Sequence, residues 1–433
     1  MRSYFQLQAN KTNFQTEVLA GIATFLATAY IIAVNPSILS QTGMPFSGVL
    51  TATVLVCFVS SLMMGLYAKN PIVVAPGMGL NAFFTYTAVL GMGVPWQTAL
   101  GAVFWSGILF LLLSVFNIRT YIVKAIPKPL RYAIAAGIGL FITLIGLANG
   151  GFIIKNDATL VAAAPMSIPL LVFVTGLLLT AILVVKKIKG AIVTGIIVTT
   201  LLAAGIGRWW NDSATVVNFK GVFAAPDFSL LGKLDISGSL QWSVLPVIFA
   251  FVFTDLFDSL STLVGVSEAG NLLDENGDPG NIKKALITDA VATTIAGVAG
   301  SSPGTAYIES AVGIEEGGRT GLTAVVAALL FLPFLFLAPL LSMVPAMATA
   351  PALVLVGAFM LRPVTKINWQ MSDEAIPAFI AMVTIPFTYS ITQGIIWGFL
   401  SWTVIKLAAG KRKDIGWTLL VIDVFCIISL ILG

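Results

Sequence analysis

Long apolar runs follow one another along the chain and are separated by short polar breaks. A hydrocarbon core about 30 Å thick is crossed by roughly 20 helical residues, so the longer runs can span a bilayer. They lack the alternation of apolar and polar residues that is typical of a membrane β-barrel, and we therefore predict helices. The predicted spans lie near Val18–Val34, Gly48–Tyr67, Ala99–Phe116, Tyr132–Ala148, Ile168–Val185, Ala191–Ile206, Val244–Val266, Ala285–Ala299, Leu322–Met343, Ala352–Leu361, Ala375–Thr388, Ile395–Ala408 and Trp417–Leu432.

Two further apolar segments, Val73–Leu90 and Ser301–Glu316, are interrupted near their starts by a Pro-Gly pair. A break of this kind frees backbone polar groups in lipid, which is costly unless those groups line a cavity or meet another part of the chain. We predict an extended stretch at Val73–Pro76 and another at Ser301–Pro303, each leading into a short helix that begins near the bilayer midplane. A simple proline kink would explain one break but explains the matched pair poorly.

The composition supports a membrane protein. Hydrophobic residues make up 58% of the chain and charged residues 10%, whereas an ordinary soluble domain carries about a quarter charged residues. So few charges cannot keep a globule of 45.6 kDa in solution, which excludes a soluble enzyme, a nucleic-acid binder and a disordered protein. There is no histidine, so proton chemistry near neutral pH has to use carboxyl groups.

The positive charges predict the orientation in the membrane. If the N-terminus is cytoplasmic and each segment crosses once, nineteen of the 23 Lys and Arg residues lie on the cytoplasmic side. Such an asymmetry is what the positive-inside rule requires. We therefore expect a multi-pass protein with a cytoplasmic N-terminus.

The chain contains a weak internal repeat. Pro76 lies 227 residues before Pro303, each is followed by glycine, and the same shift places Thr28 opposite Asp255. Seven segments precede the long polar stretch at mid-chain and seven follow it, so the two halves face opposite ways, as in transporters whose site lies between inverted repeats. The predicted units are a first repeat over 15–207, an extracytoplasmic loop over 208–241, a second repeat over 242–413 and an additional apolar segment over 414–433.

Carboxyl groups inside the predicted spans are candidate functional groups, because a charge in the bilayer costs at least a few kcal/mol. Asp255 and Asp258 are three residues apart and therefore share one helical face. Glu309 lies in the first turns of the second short helix, and Asn81 has almost the equivalent place in the first. Two more acids in spans are interpreted as structural, namely Asp289 and Asp423.

Together these groups describe a pocket rich in hydrogen-bond acceptors, with backbone N–H donors from the starts of two helices. Such a pocket suits a neutral, planar, polar ligand with both N–H and C=O edges, and its acids can take up a proton. No Lys or Arg lies at membrane depth near these motifs, which disfavours a fixed anion site. A channel or a passive facilitator remains an alternative.

Four stretches resemble the AzgA-like branch of the nucleobase transporters, the guanine/hypoxanthine/adenine permeases: NPSIL, PGMGLNAFF, FTDLFDSLSTL and SSPGTAYIESAVGIEEGGRTG. The similarity extends from about Gln15 to Lys413. It implies an all-α polytopic membrane protein with a 7+7 inverted repeat of about fourteen segments, in which segments 3 and 10 are each a short strand plus a half-helix. It also implies a core domain of segments 1–4 and 8–11, a gate domain of segments 5–7 and 12–14, and proton symport by an elevator-like movement, often in homodimers.

The resemblance implies roles for single residues. Asn81 matches the family's segment 3 asparagine, and Glu309 matches the segment 10 glutamate that grips the ring nitrogens. Asp255 matches the segment 8 acid that contacts the purine, and Asp258 the second acid of that segment. The related uracil permeases have a histidine one turn after their segment 8 acid and an asparagine where this chain has Ser310, so their histidine-dependent coupling cannot be transferred.

We therefore predict a proton-coupled symporter, not an enzyme, that imports purine nucleobases across a bacterial inner membrane, with guanine and hypoxanthine favoured and adenine possible. Its expected partners are the base, the proton, the bilayer and a second copy of the chain, without metal, cofactor or nucleic acid. The alternatives are an anion transporter of the sulfate/bicarbonate type and a passive facilitator. The predicted base-binding residues are Asp255, Glu309, Asn81, Gly304, Thr305 and Thr28. The candidates for proton coupling are Asp258, Glu309 and Asp255.

Overall fold

The computed structural model describes residues 4–116, 126–210, 221–269 and 281–432, and these ranges consist mostly of helices. The helices are α1 Phe14–Thr28, α2 Ile31–Leu39, α3 Phe46–Met63, α4 Met78–Ala82, α5 Trp96–Val115, α6 Lys128–Asn149, α7 Ile168–Val185, α8 Ala191–Trp210, α9 Leu245–Ala269, α10 Ile282–Ala299, α11 Ala311–Glu315, α12 Gly321–Phe331, α13 Ala338–Leu341, α14 Ala346–Met360, α15 Ser372–Thr388, α16 Ile391–Ala408 and α17 Trp417–Leu432. The strands are β1 Val74–Pro76, β2 Ile153–Asn156, β3 Leu160–Ala163 and β4 Gly304–Ala306. Turns of π-helix follow α3 and α4 over Met64–Ala68 and Phe83–Gly91, and 3-10 turns cover Ile308–Ser310, Leu332–Phe336 and Arg362–Lys366.

The helices have the length and composition of membrane spans. Within the described ranges, seven helical stretches of at least 18 residues are apolar enough to cross a bilayer, and four shorter apolar helices accompany them. Only 28% of α7 is buried inside the protein, whereas 72% of an apolar run of 18 residues within Phe14–Thr42, which contains α1 and α2, is buried. The first segment therefore lies in the interior and α7 lies at the lipid-facing periphery.

The helices pack in two groups. We call α1–α5 together with α9–α12 the core group, in which α5 packs on α10 and α1 packs on α12. We call α6–α8 together with α14–α16 the gate group, in which α6 packs on both α14 and α15. The predicted limits of the repeats and domains stay predictions, and residues 211–220 of the predicted loop lie outside the described ranges.

Close packing of α6 on α14 depends on small residues. A Cβ atom added at Gly139 would lie 2.7 Å from the carbonyl oxygen of Gly357, and one added at Gly357 would lie 2.4 Å from the carbonyl oxygen of Gly139. Because both residues lack a side chain, the two backbones approach more closely than other residues would permit.

Prolines explain two differences from the predicted elements. The expectation of one continuous span over Leu322–Met343 is wrong, because α12 ends at Phe331 and a 3-10 turn containing Pro333 follows. The second extended stretch lies at Gly304–Ala306 rather than at Ser301–Pro303. Proline cannot donate a backbone hydrogen bond, so in both places regular pairing begins or ends beside it.

The C-terminal helix α17 packs on α16 and contacts α9. Thr403 of α16 donates a hydrogen bond to Asp423 Oδ2 at 2.6 Å. Phe425 stacks on Phe249 of α9 with 6.2 Å between ring centroids. The additional segment therefore joins a gate helix to a core helix.

A buried carboxylate joins α1 to α12. Glu17 accepts hydrogen bonds from the backbone N–H groups of Arg319 at 2.9 Å and of Thr323 at 3.2 Å, and from the hydroxyl of Thr323 at 2.7 Å. The first N–H groups of a helix have no partner within the helix, and an anion there is stabilised by the helix dipole. Glu17 therefore caps α12 and links the first segment of the chain to a helix of the second half.

We predict that Glu17→Gln destabilises the protein by about 1–3 kcal/mol. The amide is a weaker, uncharged acceptor, and its NH₂ group would face the backbone N–H groups of Arg319 and Thr323 that now donate to the carboxylate. The measurement is the thermal unfolding midpoint of the purified protein in detergent. Asp157→Asn is the control, since Asp157 forms only an exposed ion pair with Lys155. Equal midpoints for the two variants would contradict the capping role.

Candidate functional site

Two short strands cross at the centre of the core group. Strands β1 and β4 form an antiparallel pair in which all residues are buried. The paired residues are Val74 with Ala306, Ala75 with Thr305 and Pro76 with Gly304. The pairing continues beyond the strands, where Gly77 N–H donates to the Pro303 carbonyl and Tyr307 N–H donates to the Val73 carbonyl, both at 2.9 Å. The two broken segments therefore satisfy each other's backbone groups away from water.

Glycine is required where the strands approach each other most closely. A Cβ atom added at Gly77 would lie 2.7 Å from Cγ2 of Thr305, well inside van der Waals contact. Helix α4 begins directly afterwards at Met78, and β4 leads through the Ile308–Ser310 turn into α11. The prediction of an extended stretch followed by a short helix in both segments is confirmed.

A hydrogen-bonded network behind β4 fixes that strand. This anchor network consists of Asp255, Ser259, Asp289, Thr293 and Thr305. Thr293 donates to Asp255 Oδ2 at 2.7 Å, and its hydroxyl lies 3.0 Å from the Gly304 carbonyl oxygen. Ser259 lies 3.2 Å from Asp255 Oδ1 and 2.7 Å from the Thr305 hydroxyl. Asp255 is thus 1% exposed and directed at β4 rather than at open space.

The second carboxylate of the anchor network holds the backbone itself. Asp289 Oδ1 accepts a hydrogen bond from the Ala306 N–H at 2.9 Å, and Asp289 Oδ2 is in close contact with the Ser259 hydroxyl. The two acids therefore connect α9 and α10 to the same strand. In the described part of the chain, no three His, Cys, Asp or Glu side chains come together in a way that could hold a metal ion.

A buried amide, Asn35, holds the residues just before β4 on the other side of the β1–β4 pair. Its Nδ2 donates to Thr53 at 2.8 Å and to Ser301 at 3.1 Å. Its Oδ1 accepts from Asn81 Nδ2 and from the Ser302 hydroxyl, both at 3.2 Å. Asn35 therefore links α2, α3 and α4 to the residues before β4. Sequence reasoning missed this role, although an Asn-Pro pair inside an apolar run was a usable signal.

A cavity of about 420 Å³ opens beside the crossing strands, and we call it the central cavity. Its lining from the core group includes Tyr30, Asp258, Thr305, Tyr307 and Glu309. The hydroxyl of Tyr30 donates to Glu309 Oε1 at 2.6 Å, and that of Tyr307 donates to the Pro76 carbonyl at 2.5 Å. Asp258 and Glu309 are both half-buried, so their carboxyl groups are sheltered but reachable from the cavity.

The gate group lines the opposite side of the cavity with positive charge. Lys128 and Arg131 come from the first turn of α6, and Arg362 and Lys366 come from the 3-10 turn after α14. We call these four residues the four-cation end. The motifs around the acids did not reveal them, because α6 and α14 are distant in sequence and meet the acids only in the fold. The expectation that no Lys or Arg lies at membrane depth near the motifs stays a prediction, and the cavity as a whole does include four cations from other segments.

The predicted site residues fall into two sets. Those that line the central cavity are Asp258, Glu309 and Thr305. Those that lie outside its lining are Asp255, Asn81, Gly304 and Thr28. Thr28 is buried and donates to the Thr24 carbonyl at 2.9 Å within its own helix. Two tyrosines that sequence reasoning did not single out, Tyr30 and Tyr307, are part of the lining, and the position of Tyr307 two residues before Glu309 was the available signal.

Comparison with known proteins agrees with this architecture. The profile of the permease family Xan_ur_permease matches residues 15–396. The chain is 42% identical over 430 residues to the adenine permease AdeP of Escherichia coli K12, covering 99% of this chain and 95% of the relative. It is 37% identical over 420 residues to the guanine/hypoxanthine permease PbuO of Bacillus subtilis 168, covering 95% of this chain and 96% of the relative. These matches confirm the resemblance drawn from the sequence motifs.

A solved structure shows the same fold. The transmembrane domain of a cyanobacterium bicarbonate transporter, BicA, superposes with a TM-score of 0.65 at 16% identity, covering 88% of this chain and 97% of that domain. At this identity the likeness concerns the fold alone. The all-α polytopic fold with two inverted repeats of seven segments, a core and a gate is thereby confirmed. The chain belongs to the permease family and is a multi-pass helical membrane protein.

Proposed function

We propose that this protein is a proton-coupled symporter that imports purine nucleobases, as predicted from its motifs. The central cavity is the single observation that carries the proposal, because it presents two half-buried carboxyl groups and several hydroxyls beside the crossing strands. Relatives over the whole chain are named as adenine and guanine/hypoxanthine permeases, which supports a purine as the substrate.

Recognition of the base follows from hydrogen-bond chemistry. A purine base offers ring N–H groups to carboxylate oxygens, and Glu309, already hydrogen-bonded by Tyr30, is the acceptor best placed to receive them. Thr305 can donate to a ring nitrogen or a carbonyl, and the rings of Tyr307 and Phe359 offer apolar contact for the flat base. An apolar ring would leave the polar groups of the cavity without hydrogen-bond partners, which is costly, so the site favours purines over apolar rings.

Asp255 could either contact the base or support β4. The motif predicts that it contacts the base, yet both of its oxygens accept hydrogen bonds in the anchor network. We propose that Asp258 and Glu309 meet the base in this conformation and that Asp255 positions β4. Contact between Asp255 and the base would need the anchor network to rearrange.

Proton coupling would use the same carboxyl groups. The chain has no histidine, so a carboxyl group is the available proton carrier near neutral pH. We propose that Asp258 and Glu309 exchange a proton with the cavity and that binding of the base depends on their protonation. The acids sit on the core group and the cations on the gate group, so sliding of one group past the other would move the site in an elevator-like manner.

Location and assembly complete the proposal. Under the positive-inside rule the four-cation end faces the cytoplasm, so the central cavity would open inward in a bacterial inner membrane. A homodimer is proposed on the family resemblance alone. The rival function is anion transport, which the four-cation end favours and the two cavity acids disfavour.

We predict uphill uptake of radiolabelled hypoxanthine or guanine into proteoliposomes under an inward proton gradient, and loss of accumulation when a protonophore is added. Accumulation that ignores the protonophore would exclude proton coupling. Uptake that only equilibrates the base would indicate a passive facilitator, and uptake of bicarbonate or sulfate without any uptake of base would indicate an anion transporter. Competition by unlabelled adenine, guanine and hypoxanthine ranks the substrates.

We predict that Glu309→Gln and Asp258→Asn each lower base uptake about tenfold or more, because a hydrogen bond to a charged group contributes about 1.5–3 kcal/mol. The matched control is Asp423→Asn, which makes the same chemical change at a buried acid of α17 outside the cavity. Uptake is compared at equal amounts of inserted protein. Wild-type uptake by both cavity variants would remove this site assignment.

Substitution of Asp255 tests whether this residue supports β4 or contacts the base. We predict that Asp255→Asn lowers the thermal unfolding midpoint as well as uptake, because the amide cannot accept both hydrogen bonds of the anchor network. Glu309→Gln should lower uptake with a smaller change in that midpoint, since Glu309 is less buried. If Asp255→Asn instead raises the KM for the base at an unchanged midpoint, direct contact with the base is the better assignment.

A further inference from the structure

The four-cation end carries more positive charge than the cavity neutralises. Four cations and two carboxyl groups line one cavity, and among the described residues none of the four cations forms an ion pair with a carboxylate within 4.0 Å. Lys366 lies instead over the ring of Tyr132 at 5.9 Å, and Arg362 over the ring of Phe359 at 5.2 Å. These cations are therefore available to an anion that enters the cavity.

Arg131 is the clearest sign that an anion is accommodated. Its Nε is buried and makes no hydrogen bond to any described residue. A buried donor without a partner is costly, and a guanidinium group matches phosphate oxygens with two parallel hydrogen bonds. Lys128, from the same first turn, adds a second positive charge to the lining. A phosphate group fits this combination of donors better than a carboxylate of the protein would.

The size of the cavity points to a ligand larger than a free base. Its volume of about 420 Å³ falls in the range of roughly 300–1,000 Å³ in which pockets enclose drug-sized molecules. A bicyclic base bound at Glu309 and Asp258 would leave the four-cation end empty. A base that carries a ribose phosphate has a neutral ring system at one end and a dianion at the other, which is the charge pattern of this lining.

We propose that a purine nucleoside monophosphate binds the central cavity, with its base toward Glu309 and Asp258 and its phosphate at the four-cation end, and inhibits base uptake. This inference rests on the proposed function for the orientation of the base. The bound nucleotide bridges residues of the core and gate groups, so it holds the two groups together and opposes their relative movement. Under the predicted orientation the nucleotide enters from the cytoplasm, where it would limit import.

The test measures inhibition of hypoxanthine uptake in phosphatidylcholine proteoliposomes with inosine monophosphate on both sides of the membrane. Inosine and ribose 5-phosphate are the matched probes, since each carries one half of the nucleotide. We expect half-inhibition by the nucleotide at a concentration about fivefold to tenfold below that of either half. Inhibition by inosine equal to that by the nucleotide would overturn the proposal.

Charge variants locate the phosphate. Arg362→Gln combined with Lys366→Gln should remove the advantage of the nucleotide over inosine, with inhibition expressed relative to the base uptake of the same variant without inhibitor. The matched control is Arg412→Gln combined with Lys413→Gln, which removes one Arg and one Lys from an exposed turn outside the cavity lining. A nucleotide advantage that survives in the Arg362/Lys366 variant, or that disappears equally in the control, contradicts a phosphate at the four-cation end.

Two further experiments distinguish a bound nucleotide from bound lipid phosphate and from a failure of the proposed transport function. Vesicles containing phosphatidylglycerol test whether a lipid phosphate occupies the four-cation end. If the nucleotide has no effect in phosphatidylcholine vesicles and uptake changes when phosphatidylglycerol is added, the cations bind lipid and the proposal is overturned. Thermal stabilisation of the purified protein by inosine monophosphate, relative to inosine, does not depend on transport. If no base is taken up, the proposed function fails, and this binding measurement still decides whether the cavity accepts a nucleotide.

Discussion

The antiparallel pairing of β1 with β4 is the constraint on which the rest of the structure depends. Each strand interrupts a membrane segment, and an interrupted segment exposes backbone N–H and C=O groups that lipid cannot satisfy. The two interruptions solve this problem for each other, since strands related by an inverted repeat meet antiparallel. The crossing is also where two short helices and the acid-bearing helix α9 converge, so the same constraint creates the cavity.

The acids near the crossing divide into two kinds, and this division explains how a rigid crossing and an accessible site coexist. Asp255 and Asp289 are turned toward β4 and bonded to hydroxyl and backbone groups. Asp258 and Glu309 face the central cavity. A carboxylate that is fully hydrogen-bonded inside the protein is stabilising, whereas one that faces a cavity can change its partner or its proton. The two kinds of carboxyl group lie close together, since Asp255 and Asp258 are only one helical turn apart on α9.

Charge is distributed unequally across the cavity. The core group supplies the carboxyl groups and the gate group supplies the cations, so a ligand in the cavity meets both signs. Because of this separation, the proposed movement of core against gate would change the electric field in the cavity as well as access to it. The separation also means that a fold shared with a bicarbonate transporter does not by itself decide the substrate.

Much of the architecture followed from the sequence. Apolar run length, the Pro-Gly breaks at Pro76 and Pro303 and the asymmetry of Lys and Arg depend on local chemistry in a bilayer, and local chemistry can be read from one chain. The direction in which each acid points could not be read, because Asp255 and Asp258 share a helical face and only neighbours on α10 and β4 separate their roles. That Arg131 and Arg362 line the same cavity as Glu309 was equally hidden, since it depends on the packing of segments far apart in sequence.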